Sequence, residues 1–165
     1  HTGWPQRYLK YGNFRRQISS TCGAMGYSLP AAIASSLIHP DRLVISFVGD
    51  GGFMMSGLEL STAIQYGLKP IIIIFNNGTY GTIRMHQEKE HPFRVIGTDL
   101  KNPDFVNLAI SLGAFAEKVS STEEFIKSFK RAIDSKKAAV LELITDPEII
   151  SSRTTIKGLQ NKNRF

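Results

Sequence analysis

One stretch of the sequence, Ile71-Ile72-Ile73-Ile74-Phe75, is apolar at every position and opens with four β-branched residues in a row. Such side chains favour an extended strand, and a strand apolar on both faces needs cover on both. The stretch is far too short to cross a bilayer, which takes about 20 residues. Leu43-Val44-Ile45-Ser46-Phe47-Val48 reads as a second strand of the same kind. Between the two, residues 56–66 carry Leu58, Leu60, Ala63 and Ile64 as an apolar set, with Gly67 and Pro70 stopping a helix. Two buried strands joined by a helix form a crossover, so they lie parallel and end at the same edge.

The alternation of strand and helix continues downstream. Asn102 is placed to cap a helix with Pro103 in its first turn, and Gly113 follows the helix end. A strand is expected at 115–119. Ser121 and Glu124 have capping-box spacing and Phe125, Phe129 and Ile133 recur every four residues, which predicts an amphipathic helix over 121–135. Residues 139–144 form a last strand. Upstream, Tyr27 to Ile38 reads as a helix entered through Gly23-Ala24-Met25-Gly26, with Pro30 near its start and His39 capping its end. The pattern predicts an α/β fold, a doubly wound, mainly parallel sheet with helices on both faces. Only Gly78 to Lys101 lacks a repeat of its own, and segments of that length in a compact domain are usually functional or mobile.

With 165 residues, 42% of them apolar, the chain suits one domain. The division expected is a domain over 1–150 and a basic tail over 151–165. The net charge of +6 is concentrated there: Arg153, Lys157, Lys162 and Arg164 stand in a segment without Asp or Glu. A solvated tail explains it better than nucleic-acid binding, since no RNA-binding aromatic motif, Cys/His finger or basic heptad accompanies it. Cys22, the single cysteine, cannot form an internal disulfide and is expected to be a small buried residue. A cytoplasmic setting follows as the default. The chain opens on His1 with no apolar leader, and we read it as the C-terminal part of something longer.

Chemistry gathers at the two strand ends. Asp50 follows the first strand and Asn77 the second, so both emerge from one carboxyl edge, where such folds bind ligands. A carboxylate and an amide oxygen are hard donors of the kind Mg²⁺ or Ca²⁺ prefers, and no Cys or His stands beside them to favour zinc. Mg²⁺ fills out its shell with waters and substrate phosphates, and the glycines after Asp50 open a helix whose free N–H groups favour an anion. A metal-bridged diphosphate is the ligand suggested. Each motif taken alone reads equally well as a turn. A dinucleotide fingerprint starting at Gly49 would need glycine in place of Met54, and no Gly-Lys-Ser/Thr is present for a P-loop.

The pair of motifs, Gly49-Asp50-Gly51 and, 24 residues later, Asn76-Asn77, resembles the cofactor motif of thiamine diphosphate-dependent enzymes. Gly23 to Ala32 is similar to the preceding segment in the acetolactate synthase, pyruvate oxidase and benzoylformate decarboxylase group. Nearly the whole chain follows that group's C-terminal domain. Asn76-Asn77-Gly78-Thr79-Tyr80-Gly81 resembles the benzoylformate decarboxylase version, and the overall run looks most like acetolactate synthase-like large subunits.

The resemblance implies thiamine diphosphate and Mg²⁺ as cofactors, with Asp50, Asn77 and the backbone carbonyl of Thr79 as metal ligands. Gly49, Gly51 and Gly52, with Tyr80 and Gly81 after the second motif, belong to the cofactor-binding set, and glycine permits close approach to the diphosphate. Gly23, Ala24 and Met25 would hold the cofactor's rings, with Gly23 and Met25 in the catalytic role: Met25 props the bent cofactor, and the backbone at both meets the aminopyrimidine. Composition alone favours Met25 as a core filler, and the resemblance reverses that preference. The implied activity is decarboxylation of a 2-oxo acid and transfer of the acyl carbanion to a second carbonyl. A benzoylformate-type decarboxylase is the nearest alternative, and a non-catalytic binding or assembly module the alternative of another class. A catalytic Glu is implied to come from the N-terminal pyrimidine-binding domain of a neighbouring chain, in a homo-oligomer. Glu59 on the crossover helix is a poor substitute. His86 stands where acetolactate synthases commonly place a Trp, and Arg84 and His86 are candidates to meet a substrate carboxylate.

Overall fold

The computed structural model describes residues 1–12 and 16–162. In chain order the elements are α1 (Gly3–Tyr8), α2 (Ser28–Ile38), β1 (Ile45–Gly49), α3 (Asp50–Ser56), a 3₁₀ turn (Gly57–Glu59), α4 (Leu60–Gln65), β2 (Ile71–Asn76), α5 (Gly81–Glu90), α6 (Phe105–Ser111), β3 (Phe115–Val119), α7 (Thr122–Asp134), β4 (Ala139–Ile144) and α8 (Ile156–Lys162). The four strands form one sheet in the order β1-β2-β4-β3, every pair parallel. Ile71 of β2 stands between Ile45 and Ala139, and Asn76 pairs with Ile144.

The isoleucine run does what its composition requires. Ile72 and Ile74 point to one face, where Val48 and Val140 meet Leu29 of α2, Phe53 of α3, Leu60 and Ala63 of α4, and Phe105 and Ala109 of α6. Ile71 and Ile73 point to the other, where Ala139 and Leu141 meet Ala132, Phe125 and Phe129 of α7. The sheet is thus wound on both sides, as the alternating pattern predicts. No helix among the described residues is long and apolar enough to cross a membrane.

Several boundaries differ from the sequence reading. β1 starts at Ile45 and not at Leu43, because its partner begins at Ile71, whose N–H reaches the Val44 carbonyl, and Pro70 before it has no N–H. The crossover helix begins six residues earlier than expected, at Asp50, and is interrupted at Gly57, where a Cβ would lie 2.6 Å from the Phe53 ring. Asn102 does not cap α6. Asp104 does, its carboxylate accepting the Asn107 N–H at 2.9 Å. Ser121 caps α7 as expected, but Glu124 returns its bond to the N–H of Ser120.

The expected solvated tail is not one over 156–162. That segment is helix α8, with Ile156 only 1% exposed. It lies on α5, where the Gln160 amide donates to Glu88 Oε1 at 2.9 Å. Glu88 is itself buried, and its other oxygen accepts the N–H of Phe93. Burial of a carboxylate is tolerable because both oxygens are satisfied. Arg164 lies outside the described residues.

Candidate functional site

β1 and β2 run parallel and adjacent, so their carboxyl ends deliver Asp50 and Asn77 to the same edge. One bond ties the two strand ends together: the N–H of Gly78, which adopts a left-handed backbone at φ 67°, donates to Asp50 Oδ2 at 2.9 Å. Asp50 is 3% exposed. Its Oδ2 takes a second bond, from the Asn102 amide at 2.8 Å, and Oδ1 takes part in neither. A buried carboxylate needs such partners to offset lost hydration.

The Asn77 side chain folds back over its own turn. Its Oδ1 accepts the Thr79 N–H at 3.2 Å, and its amide nitrogen lies 3.2 Å from where a Cβ on Gly81 would sit. Thr79 is buried, its hydroxyl donates to the Thr98 carbonyl at 2.9 Å, and its backbone carbonyl accepts from the Gly81 N–H. The bridge between Thr79 and Asp99 and the bond from Leu100 N–H to the Gly78 carbonyl pin this loop to the segment before α6. The three expected metal ligands are all oxygen donors, and each keeps an unused lone pair. That donor set fits Mg²⁺. Among the described residues there is no group of three or more His, Cys, Asp or Glu side chains able to hold a metal, so any cation here must rely on amide and carbonyl oxygen as well.

The glycines following Asp50 have an internal use. A Cβ on Gly51 would lie 2.4 Å from the Tyr80 ring, and one on Gly52 would lie 3.3 Å from Val48 and 3.8 Å from the Gly26 nitrogen. Their bareness lets the two loops close on α3. Gly49 is similarly capped by the His1 ring, which also stacks on Phe75.

The loop with Gly23, Ala24 and Met25 stands beside α3, held by the Ser56 hydroxyl on the Gly26 carbonyl at 2.8 Å. Met25 is 47% exposed, which removes the core-filler reading. Gly23 and Gly26 both have positive φ, so the loop's turns depend on them. Cys22 is exposed and not buried as expected, and the Ser20 hydroxyl at 3.2 Å lowers its thiol pKa. Glu59 is exposed and accepts from Thr62. Arg84 turns toward Glu148 at 3.8 Å, whereas His86 stands on the exposed side of α5.

Sequence reasoning missed two residues here. Asn102 reads locally as a helix cap but reaches Asp50, 52 residues away, and Glu142 reads as an ordinary strand position but is 2% exposed and accepts from Asn76. A charged residue inside the apolar run of β4 was the available signal.

Fold and edge together define a doubly wound α/β domain that presents hard oxygen donors at the carboxyl ends of adjacent strands. Residues 1–143 match the family described as thiamine pyrophosphate enzyme, C-terminal TPP binding domain, and the chain belongs to that family. It is 34% identical over 150 residues to the mitochondrial acetolactate synthase catalytic subunit of Aspergillus candidus, covering 90% of this chain and 22% of the relative. It is 38% identical over 147 residues to a probable acetolactate synthase large subunit of Methanocaldococcus jannaschii, covering 88% and 24%. Among solved structures it is similar to the thiamine diphosphate-dependent 4-hydroxybenzoylformate decarboxylase of Rhodococcus jostii RHA1, at 36% identity and a TM-score of 0.71 over 76% of this chain and 24% of that one. The chain spans under a quarter of the length of each of these three proteins.

Proposed function

We propose that this chain is the cofactor-binding domain of a thiamine diphosphate- and Mg²⁺-dependent enzyme of acetolactate synthase type, acting on 2-oxo acids. The observation that carries the reading is the bond from Gly78 N–H to the buried Asp50 carboxylate, which closes the two halves of the long-range motif into one site. Asp50, Asn77 and the Thr79 carbonyl would hold a divalent cation, which would supply positive charge to the cofactor's diphosphate. Gly49, Gly51 and Gly52 shape the start of α3, and Tyr80 and Gly81 close the far side. Met25 supports the cofactor's rings from the exposed loop, while Gly23 and Ala24 set that loop's backbone. Thiamine diphosphate, when bound, supplies the electron sink for loss of carbon dioxide.

The exposed rim formed by Met25, Met54, Met55 and Leu58 suits cover by the pyrimidine-binding domain of a neighbouring chain, from which the catalytic Glu comes. The location proposed is the cytoplasm. Thermal unfolding of the assembled protein with thiamine diphosphate, with Mg²⁺ and with both tests the binding: a joint shift larger than either alone is expected, and its absence overturns the reading.

The structural likeness to a 4-hydroxybenzoylformate decarboxylase favours one alternative, simple decarboxylation. Incubation with pyruvate separates them. Acetolactate is expected, and aldehyde without any carboligation product selects the alternative.

A further inference from the structure

Asp50 is the end of a connected row of polar side chains that runs inward through the sheet. The row starts at Glu142 of β4, whose Oε2 has no hydrogen bond and faces the Lys118 ammonium at 3.5 Å across the β3–β4 register. Glu142 Oε1 accepts from the Asn76 amide nitrogen at 2.7 Å. A carboxylate only accepts, so Asn76 must turn its NH₂ toward Glu142 and its oxygen away. That oxygen then accepts from Gly78 N–H at 3.1 Å and from the Asn102 amide at 2.9 Å. The second hydrogen of the Asn102 amide goes to Asp50 Oδ2 at 2.8 Å. Asn102 thus stands between two acceptors, and Asn76 between an acceptor and two donors. Neither amide can flip without setting oxygen against oxygen or N–H against N–H.

We propose that Asn102 is a positioning residue for the cation site and that, through Asn76, Glu142 acts with it. The row commits Asp50 Oδ2 to internal bonds and leaves Oδ1 as the oxygen turned to the cation. This rests on the reading of Asp50 as a metal ligand. Outer partners that orient a ligating carboxylate typically contribute about 10- to 100-fold to metal affinity.

The test measures Mn²⁺ or Mg²⁺ binding to the assembled protein at saturating thiamine diphosphate, by electron paramagnetic resonance of free Mn²⁺ and by the thermal shift, with the metal-free melting temperature recorded alongside. Asn102→Asp, nearly unchanged in shape, sets an acceptor against two acceptors. We expect the metal concentration for half-saturation to rise by about 10-fold or more. A purely structural Asn102 would lower the metal-free melting temperature and leave half-saturation where it was, and that result overturns the proposal.

Should Asn102→Asp not fold, Glu142 carries the test from outside the site. Glu142→Gln keeps an oxygen for Asn76 and is expected to leave metal binding unchanged. Glu142→Leu removes the acceptor, frees Asn76 to turn and is expected to weaken it, with the metal-free melting temperature recorded to separate any loss of stability. Equal metal binding by the Leu and Gln variants overturns the relay. If the wild type itself shows no metal-dependent shift, the underlying assignment of Asp50 falls, a result distinct from either of these.

Discussion

Two of the crossovers, each joining neighbouring parallel strands, treat charge differently. Under α7 of β3–α7–β4 the packing is mainly apolar, Phe125, Phe129 and Ala132 lying over Ile71, Ile73 and Leu141 with Ser128 buried among them, and the Glu117–Arg131 pair stays at the more exposed edge. In β1–α3–α4–β2 the carboxyl edge encloses Asp50, reached by Gly78 and Asn102, with Asn76 and Glu142 behind. The first unit is held by apolar area, which tolerates variation in any one contact. The second is held by polar groups whose partners must all be present, since a buried polar group without one is costly. Specificity of arrangement marks the edge built for a ligand.

Asp50→Ala gives the largest expected change and tests whether the enclosed charge exists for that ligand. At a hundred times the dissociation constant, ligand binding adds about 2.7 kcal/mol to stability. The variant is expected to stay folded and lose that whole increment in thermal unfolding with thiamine diphosphate and Mg²⁺. Full retention would break the comparison.

Gly51→Ala probes the same edge without touching charge. Its Cβ would meet the Tyr80 ring at 2.4 Å, and crowding of this kind costs about 1–3 kcal/mol even though alanine favours the helix. Urea unfolding should show the loss; a stabilised variant would mean that Tyr80 swings clear.

On the other crossover, Ser121→Ala removes the cap from α7, and about 1 kcal/mol of stability should go with it in the same urea experiment. No change there would place the helix start elsewhere.

The smallest effect sharpens the contrast. The hydrogen bond and charge of Arg131 hold the Glu117 carboxyl below its ordinary range. Its contribution is therefore present above the usual glutamate pKa and is lost as pH falls through the lowered one. Wild type and Arg131→Ala should differ slightly near neutral pH and converge in acid, and added salt should narrow the gap at neutral pH.

The two crossovers also differed in how plainly they read. The bounds of β3 and β4 matched the expected ranges, and α7 lay within one residue of its expected ends, because a four-residue apolar repeat and a capping serine are local signals. The opening of α3 was hidden by Gly51 and Gly52, poor helix formers that are present because Tyr80 and Val48 need the space. α5 has no apolar face of its own kind to announce it, and one partner of its buried Glu88, Gln160 of α8, arrives from 72 residues away. Asp50 and Asn77 were legible as a long-range pair. Asn102 was not, since its neighbour Pro103 gives a good local reason for a different role.

The α5–α8 contact has a practical reach. A polypeptide trimmed before Ile156 would strip the amide from a carboxylate that water scarcely touches and loosen the helix that follows Asn77. Shortened and intact versions of this protein, compared by thermal unfolding, would report how much α8 contributes to holding α5.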